Sequence, residues 1–343
     1  MPTRLATCAL PVLLLCGCVG APATTPQTAE VPPQALGLGT DPAPPSDLAW
    51  WTAFGDPQVD RLAGRLMQSN PTLQGVLARI RAAQADISIN RAANYPQVSL
   101  DASVQRMLLS DAYIFPAGFG GSSLWAGDVQ ARLSWSLDFW GKQAALIDKA
   151  RGTAAAVALD GQAARLALAG TFAQAYVGLF LAWRNVDIAG QAVRERQTIL
   201  ELTESRVTAG LENAAALEQA KALLAMSRIE VMKFEAQRDV SIHAIAALTG
   251  QGAAAYAAIE RPVAALDTAL PLPTALPADL LARRPDILAA RARVTAALRG
   301  RDAAHADFFP NINLAANIGL QAVGLGNIFT DDAFTAGAGP ATA

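Results

Sequence analysis

After residue 18 the chain contains no cysteine, because all three thiols, Cys8, Cys16 and Cys18, lie at the amino terminus. A disulfide framework or a thiolate metal site in the folded part is therefore excluded. Histidine is almost as scarce. His243 and His305 stand alone, without cysteine or carboxylate neighbours at ligand spacing, and read as helix-surface residues. Charge is thin as well: charged residues make up 16% of the chain and the net charge is −2. No basic cluster offers a footprint for nucleic acid. Catalytic spacings and a nucleophile elbow are also missing. Gly319, Gly324 and Gly326 read as a loop after a strand with no helix entry behind it, which is no phosphate cradle. Asp331 and Asp332 read as a solvated loop. No enzyme, cofactor or metal is expected. Proline has a long gap of its own and does not occur between Pro116 and Pro262.

The amino terminus is the first positive feature. Arg4, the short apolar run ALPVLLL and LCGC make residues 1–18 read as a secretory signal, too short in its apolar part to span a membrane. Leu15-Cys16-Gly17-Cys18 resembles a bacterial lipobox, which implies that Cys18 becomes the lipidated first residue of the mature chain. Residues 19–47 hold seven prolines and almost no large apolar side chains. Such a composition stays extended as a tether.

The fold is expected to start near Trp50-Trp51. Asn70 can cap a helix and Pro71 suits its first position, and Leu73, Val76, Leu77 and Ile80 form an apolar stripe. Near Tyr95-Pro96 the apolar period changes from about 3.6 to 2. A strand over 97–106 sets Val98, Leu100, Ala102 and Val104 against Gln97, Ser99, Asp101, Ser103 and Gln105. A second over 128–139 sets Val129, Ala131, Leu133, Trp135, Leu137 and Phe139 against polar partners. Both approach the roughly 9–11 residues of a tilted membrane strand, and Trp125, Trp135, Phe139 and Trp140 gather near the ends as girdle aromatics do. The Gly-rich segment between the strands would be an exposed loop.

Helix-compatible sequence then runs over 142–209, where one continuous helix would reach about 100 Å. Five glycines, at 152, 161, 170, 178 and 190, mark breaks or close contacts. Gly210 stops this helix, and another runs from 214 to 248 with Leu217, Leu224 and Val231 at heptad spacing, the period of helices packed side by side.

After LPLPTALP the pattern starts again. NYPQVSLDASV returns as FFPNINLAANI at an offset of 214 residues, and nine of the 34 positions from 70 to 103 match their partners. This is an internal duplication.

The lipobox, the membrane-length strands, the long helical hairpin and the duplication together resemble the TolC-like outer-membrane factors, in particular their NodT-like lipoprotein branch. The stretches that carry the likeness are LAWWTAFGDPQVDRLAGRLMQSNPTL, LSWSLDFWGK, RVTAGLENAAALEQAKA and LPADLLARRPDILAARARV. It covers residues 45–335, with LARRPDIL the most specific part; Arg291 stands where the family commonly has Glu. The resemblance implies an α+β membrane protein. Each complete protomer of a homotrimer would give four strands to a 12-stranded barrel and long helices to a periplasmic tunnel. Its function would be a passive exit duct for small molecules or drugs, fed by an inner-membrane pump through a periplasmic adaptor. Pro96 and Pro310 would mark the helix-to-strand junctions, and Arg206, Val207, Gly210 and Leu211 the tip that docks the adaptor.

The expected organisation is a signal over 1–18, a tether over 19–47, a first repeat over 48–260, a linker over 261–283 and an incomplete second repeat over 284–343. Since the copy of Trp135 falls past Ala343, the fourth strand and the second helical hairpin are expected to be missing. The three remaining strands would leave unpaired edges, so residues 19–343 alone should not conduct. A lipid-anchored periplasmic coiled-coil scaffold that never spans the membrane is the rival reading.

Overall fold

The computed structural model describes residues 50–110, 121–263 and 278–342. Cys18, the tether, most of the Gly-rich loop and LPLPTALP lie outside them. The described residues divide into two compact units, one of 93–146 with the residues from 299 onward, the other of 50–92 with 147–298. Each unit draws on both copies of the repeat.

In the helical unit, α1 (Pro57–Ser69) begins with Asp56, whose carboxylate accepts from the Gln58 N–H at 2.9 Å, and with Pro57 at its first position. Pro57 brings no unpaired donor to the helix start, and Asp56 pairs one that is left there. Asn70 does the same for α2 (Pro71–Ala92), accepting from Thr72 and Leu73 at 2.8 and 3.3 Å, as its sequence position predicts. The buried seam of α2 departs from the expected stripe, however. Leu77 is exposed, whereas Leu73 and Ala83 are buried and Val76 and Ile80 half-buried. Steps of three and four residues follow a narrow coiled-coil seam that leaves position 77 outside.

The helix α3 (Lys142–Thr208) is continuous for 67 residues. Its glycines break nothing. A Cβ on Gly152 would stand 3.0 Å from that of Ala296, and one on Gly161 would stand 2.9 Å from Val76, so these two permit close helix approach. The others need no such explanation, since Gly170 and Gly178 face open space. The returning helix α4 (Ala214–Leu248) packs Leu217, Ala220 and Leu224 on Val193 and Leu200 of α3, in keeping with the heptad reading. Near the other end of α4 lies the main core. Val59, Leu62 and Leu66 of α1 meet Phe172, Tyr176 and Leu179 of α3 and Ile242 and Ile245 of α4 there. After a short helix α5 (Ala278–Arg283) comes α6 (Pro285–Ala306), an image of α2 at the duplication offset. Its seam is built of alanines, Ala289 and Ala296 among them, which sets α6 close on α3. An Arg293–Asp160 ion pair joins the same two helices.

The other unit is a four-stranded antiparallel sheet in the order β1 (Gln97–Leu108), β2 (Ser123–Leu137), β3 (Ile312–Val323), β4 (Phe334–Thr342). Three corrections follow. The fourth strand exists: β4 pairs with β3 from Leu320↔Phe334 to Ile312↔Thr342. The simple offset missed it because the β3–β4 connection is shorter than the β1–β2 connection and because β2 starts at Ser123 rather than Asp128. The three-strand argument against conduction therefore falls. Gly319 lies inside β3 rather than in a loop, where a Cβ would come within 2.3 Å of the Val129 carbonyl. Glycine is needed there for the two backbones to approach.

Candidate functional site

The strand register sorts the sheet into two chemically different faces. In the unbroken ladders Val98 stands opposite Leu133 and Leu133 opposite Ala316, while Leu100, Ala131 and Ile318 form the next row. Val129, Trp135 and Leu137 of β2, Ile312, Leu314 and Leu320 of β3, and Phe334, Ala336 and Ala338 of β4 lie on this same face. Its one charge among the described residues is Arg106, at the end, with its guanidinium 6.0 Å from the Trp125 ring centre. Most of the face is open. Val98 and Leu100 keep 72% and 74% of their surface open, and Leu108 73%. So large an apolar expanse is costly in water and marks contact with lipid or protein.

The opposite face is polar. Arg132 pairs with Asp101 at 3.3 Å, the Ser103 hydroxyl donates to Asp128, and Ser99, Gln130, Asn317 and Gln321 occupy neighbouring positions.

Pro96 and Pro310 each stand in the short turn between a helix end and a strand, after α2 and α6. Two tryptophans tie these turns. The Trp135 indole donates to the Asn94 carbonyl at 2.9 Å, and that of Trp140 donates to Pro310 at 3.0 Å while stacking on Phe309 with ring centres 4.7 Å apart. Asp138 accepts from the Gln143 and Ala144 N–H groups at 3.0 and 2.9 Å and so caps α3. Lys142 reaches Asp307 at 2.6 Å. The motif LSWSLDFWGK is thus the fastening of the strand-to-helix corner.

At the hairpin tip Gly210 has φ of 73°, Gly210 N–H donates to Val207 and Leu211 N–H to Arg206. This pairing closes the last turn of a helix on a left-handed residue. Asn213 then caps α4 through Ala216 N–H at 2.9 Å. Of the apolar tip residues, Leu211 is 72% exposed whereas Val207 is half-buried. Arg206 lies 3.8 Å from Glu212.

A buried network went unread in the sequence. Tyr176 donates to Asp56, Gln58 reaches the Tyr176 oxygen at 3.0 Å and the Glu260 carbonyl at 3.1 Å, and Val263 N–H donates to Asp56 at 2.9 Å. Burial first, and the Asp56 hydrogen bond second, push the Tyr176 phenol above its ordinary range. Asp-Pro ahead of an apolar run was the available signal, but it announced only a cap. Arg284 and Asp286 of LARRPDIL form a two-point pair at 3.1 and 2.7 Å, and the guanidinium holds the carboxyl below its usual value. Arg291 is exposed. His243 and His305 lie on helix surfaces against Tyr256 and Phe309, with ring centres 5.4 and 5.8 Å away. No group of three or more potential metal ligands occurs among the described residues.

Membrane-length strands with one bare apolar face, in a chain that also carries a very long helical hairpin, define a component of a membrane barrel with helical extensions. The chain belongs to the outer membrane efflux protein family, whose sequence profile matches residues 62–251 and 276–342. It is 35% identical to the fusaric acid resistance protein FusA of Burkholderia cepacia over 93% of this chain and 62% of that protein. It thus spans about three fifths of that relative's length. The probable outer membrane lipoprotein SilC of Salmonella typhimurium is 27% identical over 93% of this chain and 68% of its own. Among solved structures, the outer membrane protein VceC of Vibrio cholerae matches with a TM-score of 0.72 and 31% identity, covering 87% of this chain and 70% of VceC.

Proposed function

We propose that the full-length protein is the outer-membrane exit channel of a tripartite efflux system, a passive duct that performs no chemistry. The observation that carries this reading is the two-faced sheet. An apolar face of 9–15-residue strands suits hydrocarbon, and a face of Ser, Gln, Asn, Asp and Arg suits a water-filled lumen. Three protomers with four strands each would close a 12-stranded barrel and leave no edge, which lipid requires. The long hairpin would stand in the periplasm, with Arg206, Val207, Gly210 and Leu211 at the end offered to an adaptor that links the duct to an inner-membrane pump. Cys18 would carry the lipid anchor, a reading supported by the lipoprotein description of SilC. The resistance named for FusA supports small-molecule cargo.

A lipid-anchored scaffold would account for the helices but leaves the apolar face exposed to water without purpose. The two readings separate in planar bilayers. Purified full-length protein should form heat-modifiable trimers on gels and open stable, ohmic pores. A monomeric lipoprotein that never conducts would reject the duct.

A further inference from the structure

The connection between β3 and β4 does not simply cap the strand ends. Gly324, with φ of 87°, donates its N–H to the Trp125 carbonyl at 2.7 Å and turns the chain back. Ile328 then packs on Gly127, where an added Cβ would meet its Cδ1 at 2.4 Å. Successive residues of a strand point to opposite sides, so the missing side chain of Gly127 belongs to the face of Val129, Ala131 and Leu133. The loop is therefore folded over the apolar face and not over the polar one. Ile328 and Ala333 are buried by this packing, but Phe329 beside them keeps 85% of its surface open. Leu320, Phe329, Thr330, Asp331 and Phe334 line a shallow, open hollow of about 380 Å³. Leu320 and Phe334 form its inner wall and are also a cross-strand pair of the apolar face, so hollow and face are one continuous surface.

We infer that this loop is a lipid-holding bracket, in which Phe329 and Phe334 clasp an acyl chain of the bilayer against Leu320. The inference rests on the reading of the apolar face as lipid-facing. Two features point to an acyl chain. The inner wall of Leu320 and Phe334 is apolar, and it continues into the face that the proposed function turns toward lipid. Phe329 stands near the end of the strands, where membrane barrels carry their aromatic girdles.

Spin labelling of the full-length trimer in vesicles of phosphatidylethanolamine and phosphatidylglycerol tests this. A nitroxide on Phe329→Cys should collide with dissolved oxygen, which concentrates in lipid, much more often than with a water-soluble nickel chelate. Leu133→Cys reports on the face itself, and in Gly127→Val the 329 label should move toward the nickel reagent as Ile328 is displaced. A label at 329 reached chiefly by nickel, or by neither reagent because another protomer covers it, overturns the bracket. If the 133 label is also reached chiefly by nickel, the membrane reading of the sheet falls with it.

Discussion

Leu133 and Ser134 are neighbours in β2, yet the register sends them to opposite faces, so the same substitution should have different consequences at the two positions. Leu133→Arg places a charge among Val98 and Ala316 at an expected cost of about 2–4 kcal/mol if that face meets the bilayer midplane, whereas Ser134→Arg adds one more polar group to a polar wall. Assembly of full-length trimers in outer-membrane fractions should collapse for the first and persist for the second. Equal tolerance would point to a soluble sheet. Tyr176 allows a test in the helical unit. Its folded pKa is raised by burial and by Asp56, so the native state holds the phenolic proton more tightly than the unfolded chain does. The resulting stability is complete below the ordinary tyrosine value of about 10 and is lost as pH rises beyond it toward the folded value. Denaturant melts should therefore fall more steeply above about pH 10 in the parent than in Tyr176→Phe, and parallel alkaline profiles would remove the network from the account.

For the elements, the hairpin tip is the clearest case. No neighbouring atom lies within 4 Å of a Cβ built on Gly210, so Gly210→Ala should cost only the left-handed strain, about 1 kcal/mol, seen as a small drop in thermal stability. A much larger loss would reveal packing at the tip that this chain does not show. Leu211 is the residue free to meet a partner. In the full-length protein Leu211→Cys should crosslink efficiently to the helical tip of the adaptor, and crosslinks confined to positions near the strands would sink the docking model. The helices themselves owe their form to seams of two kinds. Leucine and valine join α3 to α4, while glycine and alanine bring α3 and α6 together, where larger side chains could not fit.

At the scale of the whole molecule, the duplication explains how one chain supplies matched strand pairs, since β1 and β3 follow corresponding helices and β2 and β3 pair across the copies. The proposed lipid anchor is tested at this scale too. Mass spectrometry of the mature amino terminus should find diacylglycerol and an acyl chain on Cys18, and an unmodified residue beyond position 18 would reject lipidation. Cys18→Ser should leave the protein in its precursor form with the signal attached.

The sequence alone determined most of the elements. Alternation of two marked β1 and the body of β2 with their faces, the long interval without proline allowed α3, and Asn70, Pro71 and Gly210 marked helix ends, because these signals act between residues close in the chain. It also carried the family likeness and Cys18 as the lipidation candidate. Tertiary structure decided what depends on distant partners. β4 is a strand because β3 offers it a ladder, although its Ala- and Gly-rich sequence has little strand character of its own. Leu77 is outside because the seam of α2 is narrow, and Val207 is partly covered at the hairpin turn. Gly127 is small because Ile328 lies over it. Asp56 is more than a cap because Tyr176, 120 residues away, donates to it. Local patterns record what a residue prefers, whereas these positions are set by which surfaces the folded chain brings together.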